Sequence, residues 1–229
     1  MSVHRLNGNP PIDVQLRRSP RAKRLSLRVS KLDGRVTLTM PNRSPAKEGI
    51  AFLESRELWL RKHLIELAPE HVVVAGGTLP LQGHQIQIVA GQVKRTVLRE
   101  GALHVPDAAS AGPKARAFLK LRARDALAAA SDHYAGQIGR TYSRISIRDT
   151  RSRWGSCSSE GVLMYSWRLI MAPPEVLQYV AAHEVAHLVE MNHSDRFWQQ
   201  VEAIFPNYQA CRKWLRDHGD QLHRVNFGD

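Results

Sequence analysis

The 229-residue sequence predicts an α+β fold in which a β-rich front half leads into a helical back half. Three observations carry that expectation. Alternating apolar and polar residues recur in short runs up to residue 105, the apolar spacing becomes helical from Lys114 onward, and a composition break at residues 108–113 separates the two regimes. The break places a smaller β-rich domain at 1–110 and a second domain at 111–229. A hydrophobic content of 43% is ample for a core.

The elements follow in order. Leu25, Leu27 and Val29 alternate with Ser26 and Arg28, Asp33-Gly34 supplies a turn, and Val36, Leu38 and Met40 alternate with Thr37 and Thr39, which makes a hairpin. Residues 45–67 read as one amphipathic helix with Ile50, Leu53, Trp59, Leu60 and Leu64 on its apolar side. Short strands are expected at 72–74, 86–89, 97–98 and 103–105, separated by Gly-rich turns. Beyond the break, Ala, Leu, Lys and Arg build a helix from Lys114 to about Gly136, with Phe118, Leu121 and Leu127 facing inward. Ile145 and Ile147 alternate with Ser146 and Arg148 as a strand, and residues 161–167 form another. No internal repeat is visible.

From Pro173 and Pro174 the chain runs through Glu175, Val176, Leu177, Tyr179 and Val180 to Leu188 with no further Gly or Pro. Proline at the start, an acid in the first turn and a long apolar run predict a buried helix. That helix carries His183-Glu184-Val185-Ala186-His187, with His193 six residues further on. Residues four apart stand one above the other on a helix, so His183 and His187 can offer their imidazoles to one ion. Glu184 falls beside it, placed to take a proton from a water that the metal acidifies. Three protein ligands leave a fourth position open, as in a catalytic zinc site. The competing reading is a pair of hydrogen-bonded core histidines. Leaving such groups buried without partners is costly, and a zinc ion supplies partners.

Six residues is far from a whole number of turns, so the chain has to turn after about Val189 to bring His193 back. Asn192 is the residue expected to adopt a left-handed conformation there, and Ser194 to cap a helix that ends before Pro206. Two carboxylates compete with His193 as third ligand: Glu190, which lies far along the helix axis, and Glu202 on the following helix.

Arg151-Ser152-Arg153-Trp154-Gly155-Ser156-Cys157-Ser158, then Leu169, Pro173, His183-Glu184, His187, Asn192-His193-Ser194 and Phe197-Trp198 together resemble the YgjP-like metallopeptidase family. That family is similar to the WLM and SprT-like zinc peptidases. The resemblance is concentrated in residues 151–200. It implies a zincin-like catalytic domain in which His183, His187 and His193 hold zinc and Glu184 is the catalytic acid/base. It also implies that the strand before the active-site helix, residues 161–167, walls the cleft, where an exposed edge would add an extended peptide as a strand. The other reading makes that strand interior. The metzincin spacing is also matched, but those enzymes carry Gly where this chain has Glu190.

For the developing negative charge of hydrolysis, Arg151, Arg153, Tyr165 and Tyr208 are all chemically able, with Arg153 and Tyr208 preferred. Trp154, Trp167 and Trp198 are expected as core, and Cys157 as a small buried residue near the site.

No apolar run reaches the length of a membrane span, and the N-terminus lacks a signal-peptide core. Two cysteines at unrelated spacing, Cys157 and Cys211, suit reduced thiols in the cytoplasm. The net charge of +12 is uneven: residues 1–68 hold 14 Lys and Arg against 6 Asp and Glu, and residues 151–229 hold 8 against 9. The excess is densest in Arg17, Arg18, Arg21, Lys23, Arg24 and Arg28, which makes nucleic acid a candidate partner. Solvated basic faces are common, however, and no nucleic-acid-binding motif accompanies this one. The sequence therefore points to a cytoplasmic zinc peptidase acting on peptides or proteins. Two alternatives stand beside it: a nucleic-acid-associated protein with a structural zinc, and a zinc hydrolase of a non-peptide substrate.

Overall fold

The computed structural model describes residues 2–30, 33–66, 70–91 and 93–228. The chain divides into two compact units, Met1–Pro69 and Glu70–Asp229, so the composition break at 108–113 falls inside the second unit instead of between domains at 110/111.

In the first unit β1 (Ser2–Leu6), β2 (Ile12–Ser19), β3 (Ser26–Val29) and β4 (Val36–Pro41) form a sheet in the order β1-β2-β4-β3. The middle pair is parallel and the outer pairs antiparallel. The expected hairpin is β3–β4, with Val29 opposite Val36 and Ser26 opposite Thr39. Ile12, Val14, Val36, Leu38 and Met40 point to one face and pack with Leu53 and Leu60. Those leucines come from two helices, α1 (Ala46–Ser55) and α2 (Glu57–Ile65), and not from one. The Ser55 hydroxyl donates to the Phe52 carbonyl at 2.7 Å, and the backbone leaves helical geometry at Arg56, φ −108°. The break turns Trp59 outward, 40% exposed and against the His63 ring, which corrects its expected place on the apolar side. Residue 67, the expected helix end, lies outside the described residues.

The second unit opens with β5 (His71–Val72), β6 (Thr78–Leu81), β7 (His84–Ala90), β8 (Val97–Arg99) and β9 (Ala102–Val105). The last four form a sheet in the order β6-β7-β9-β8, again with a parallel middle pair and antiparallel outer pairs. The chain path of the first sheet is thus repeated, each time followed by helix. The sequence does not display this repeat. Strand β6 carries Pro80, which an edge strand tolerates and which removed the strand signal.

Helix α3 (Ala111–Gln137) starts within the composition break. Gly112 is there because a Cβ would lie 2.3 Å from the Phe227 carbonyl oxygen. Its buried stripe is Ala115, Leu119, Ala123, Leu127, Ala130 and Tyr134; Leu121, expected inside, is 59% exposed. Next come β10 (Arg144–Arg148), β11 (Gly155–Cys157) and β12 (Val162–Ser166), a sheet in the order β10-β12-β11, and a 3-10 turn at Trp167–Met171. α4 (Pro174–Ala186), α5 (Asp195–Ile204), α6 (Tyr208–His223) and β13 (Val225–Asn226) complete the unit, β13 pairing in parallel with β5.

The apolar residues around α4, from Val176 to Ala186, are buried on every side of the helix. Its start is pinned by the β6–β7 hairpin tip, where the Gln82 and Gly83 amides donate to the Ile170 and Met171 carbonyls at 2.8 and 3.1 Å. Gly83, at φ 80°, lies against Pro173. Arg168 pairs with Asp149 at 2.7 Å and donates to the Leu222 and Val225 carbonyls, tying the C-terminal segment to the turn before α4. Among the described residues no helix is long and apolar enough to cross a membrane. The architecture is mixed α+β.

Candidate metal centre

Helix α4 ends at Ala186, so His183 stands one turn above His187 at its C-terminus. The chain then turns back on itself. The His187 Nδ1–H donates to the Glu190 carbonyl at 3.0 Å, which fixes the tautomer and leaves Nε2 with its lone pair. The Asn192 amide donates to Glu190 Oε1 at 2.7 Å, and its oxygen accepts the Ser194 amide at 2.8 Å. Asn192 therefore holds the turn through its side chain and is not left-handed: among the described non-glycine residues only Gln82 and Glu100 have positive φ. Ser194 does occupy the N-cap of α5, but its hydroxyl makes no capping bond and is buried without a partner.

This turn delivers His193 to the other two histidines. His183 Nε2 and His193 Nε2 are 3.1 Å apart, and one ring nitrogen from each of the three lies within 4.8 Å of the others. Burial lowers His183 to about pH 3 and lowers His187 as well, so both imidazoles are neutral near pH 7. At this distance the Nε2–H of one ring can donate to the other; with both protons on Nδ1 the two lone pairs instead face each other and call for a shared cation. Tetrahedral zinc with bonds of about 2.0–2.1 Å holds its nitrogen donors about 3.3 Å apart. The donor set fits such an ion. Glu202 is exposed on α5 and outside the cluster, and Glu190 spends its carbonyl and carboxylate on the turn.

Glu184 is 6% exposed, and burial raises its carboxyl to about pH 8 against the opposing charge of Arg153. It fits only because residue 155 is glycine: a Cβ there would sit 2.5 Å from Glu184 Oε1. Gly155 opens β11, and Ser152, Arg153, Gly155, Ser156 and Cys157 line a cavity of about 460 Å³ with the three histidines, Glu184 and Met191. Strand β12 is central, flanked by β10 and β11, so the strand at 161–167 is interior and the free edge beside the cavity belongs to β11. Cys157 also lines the cavity, where burial and the Glu184 charge push its thiol up to about 11, far from a thiolate at neutral pH.

Residues 23–218 match the YgjP-like metallopeptidase domain. The chain belongs to the YgjP-like family. Among solved structures it is similar to the metallopeptidase zymogen of Pyrococcus abyssi abylysin, at 24% identity over 44% of this chain and 98% of that one, with a TM-score of 0.37. No curated protein matches the chain.

The YgjP-like span holds both walls of the cavity, the β11 segment and the α4–α5 histidines. Of the four oxyanion donors named from sequence, Arg153 lines the cavity. Tyr208 is buried with its ring stacked on Trp198 at 5.2 Å, and Tyr165 is buried against the Ser131 hydroxyl at 3.0 Å; neither lines it. Arg151 is exposed and likewise not part of the lining. Trp167 is core, as expected, whereas Trp198 is half-buried and stacks on His193 at 5.8 Å. Sequence reasoning passed over Gly155, Met191 and Phe197 as site residues. Phe197 is fully buried in the first turn of α5 and stacks on His187 at 4.3 Å; its place four residues after His193 was the available signal.

Proposed function

We propose that this chain is a zinc-dependent peptidase in which His183, His187 and His193 hold the ion and Glu184 is the general base. One observation carries the reading: three mutually facing imidazoles, those of His183 and His187 kept neutral by burial, and a buried glutamate meet on the wall of an open cavity. A zinc ion there supplies Lewis acidity, polarising a carbonyl and making a water acidic. Burial favours the protonated carboxyl, which the positive charge of the ion would return to the carboxylate; in that form Glu184 takes the proton of the attacking water and passes it to the leaving amine. A peptide laid along the free edge of β11 is held by backbone hydrogen bonds with its carbonyl toward the histidines. Arg153, on the same wall, opposes the negative charge that develops on that oxygen. The free thiols of Cys157 and Cys211 favour a reducing, cytoplasmic setting.

A structural zinc would require a fourth protein ligand, and the open cavity beside the histidines speaks for the catalytic alternative. The test is elemental analysis of the purified chain joined to mass-spectrometric cleavage of an unbiased peptide library, with and without chelator. Stoichiometric zinc with chelator-sensitive cleavage is expected. Stoichiometric zinc without cleavage of any peptide would overturn the peptidase reading.

A further inference from the structure

Most of the chain's net positive charge belongs to the first unit: residues 1–69 carry 14 Lys and Arg against 6 Asp and Glu. Between Asp13 and Glu48 the one carboxylate is Asp33, which pairs with Arg35 at 3.6 Å. The sheet arranges this charge. Ile12, Val14, Val36 and Leu38 turn to the helices, so by strand alternation Gln15, Arg17, Ser26, Arg28, Thr37 and Thr39 share the opposite face. Register places them in two rows: Gln15 opposite Thr37 and Thr37 opposite Arg28; Arg17 opposite Thr39 and Thr39 opposite Ser26. Arg17 and Arg28 are exposed and lie two strands apart, roughly 10 Å.

Strands β2 and β4 are parallel, so the loop after β2, with Arg21, Lys23 and Arg24, and the turn after β4, with Arg43, extend from the same end of the sheet. All four are exposed. Arg18 is engaged differently, since its guanidinium donates to the Asn42 and Ser44 carbonyls at 2.7 and 2.8 Å and locks that turn beside the loop. Among the described residues, Arg17, Arg21, Lys23, Arg24, Arg28 and Arg43 make no ion pair.

We propose that this face of the first unit is a binding surface for the phosphate backbone of nucleic acid. Guanidinium forks suit phosphate oxygens, and the hydroxyls of Ser26, Thr37 and Thr39 with the Gln15 amide add neutral donors between them. No aromatic ring stands in either row, so bases are not stacked and the surface reads charge without sequence. Apart from Val3, exposed opposite Gln15 on β1, the rows offer hydroxyl, amide and guanidinium groups where a membrane-inserting surface would offer several large apolar ones.

The test is fluorescence anisotropy of a labelled 20-nucleotide RNA with the full chain across a salt series. Six cations predict a slope of log K against log salt of about −4, from about 0.7 per neutralised phosphate of a single strand. Arg17→Gln/Arg28→Gln should bring it to about −3 and weaken binding at least tenfold at low salt, with the zinc content and thermal midpoint of the parent. If that variant melts early, Arg17→Lys/Arg28→Lys replaces it and should keep the parental slope. Three results would overturn the proposal: no salt-dependent binding, an equal loss in the control Arg122→Gln/Arg124→Gln on α3, or capture by phosphatidylserine vesicles that RNA does not displace.

Discussion

Replacing Gly155 by alanine isolates the contact that seats the general base. The backbone at 155 does not have the positive φ that disfavours side chains, so the effect is steric alone. The new Cβ would stand 2.5 Å from Glu184 Oε1 and 2.6 Å from its Cγ, where ordinary contact begins at 3.4 Å, so about 1 Å of separation has to be found. Glu184 is buried on a helix packed on all sides, whereas β11 is a three-residue edge strand; the carboxylate and the strand have to separate. Overpacking of this kind costs about 1–3 kcal/mol of stability. A misplacement of about 1 Å in a reacting group costs on the order of a hundredfold in rate. The assay is turnover of a peptide recovered from the library, with zinc content and thermal midpoint measured in parallel. Zinc retained, a modest drop in midpoint and a loss of about two orders of magnitude are expected. Parental turnover in Gly155→Ala would refute the placement of Glu184 against β11 as the catalytic arrangement.

Other perturbations address neighbouring parts of the site. His193→Ala should lose far more zinc affinity than Glu190→Ala or Glu202→Ala in a competition titration with a chromophoric chelator, because neither carboxylate faces the cluster. Phe197→Ala removes a fully buried ring from beneath His187 and should cost about 3–5 kcal/mol in denaturant unfolding, together with zinc affinity. His223, stacked on Trp154, is lowered by burial and by the Arg168 charge from 6.5 to about 4. The unfolded chain therefore binds this proton first, and the contribution is complete above about pH 6.5 and lost as pH falls toward 4. His223→Gln should flatten that part of a chemical-denaturation series against pH, and an unchanged slope would exclude the residue as its source.

The histidine pair was legible because a helix of 3.6 residues per turn leaves its mark on the spacing, and the buried run around it fixed the helix. The β3–β4 hairpin was legible for the same reason at period two. What escaped depends on tertiary context. Gly-Ser-Cys at 155–157 has no β-branched or alternating pattern, so the edge strand that walls the cavity carries no local signal. Ser55 bonding back to Phe52 divides a helix that periodicity draws as continuous, and Trp59 faces outward as a result. Leu121 looked like core, but α3 buries a stripe rich in alanine and leaves the larger side chain outside. The break at 108–113 read as a boundary because small residues and a proline cluster there; Gly112 is instead a crossing point for the C-terminal segment. Tyr208, preferred from sequence as an oxyanion donor, is spent on Trp198.

The central claim is that Glu184 acts as base beside an ion held by the three histidines, and Glu184→Gln tests it most directly. The amide keeps the shape of the side chain and cannot take the proton. Zinc content and peptide turnover should be measured on the parent and the variant side by side. Equal, stoichiometric zinc in both and a loss of turnover of at least about a hundredfold in the variant are expected. Equal zinc with undiminished turnover would contradict the claim.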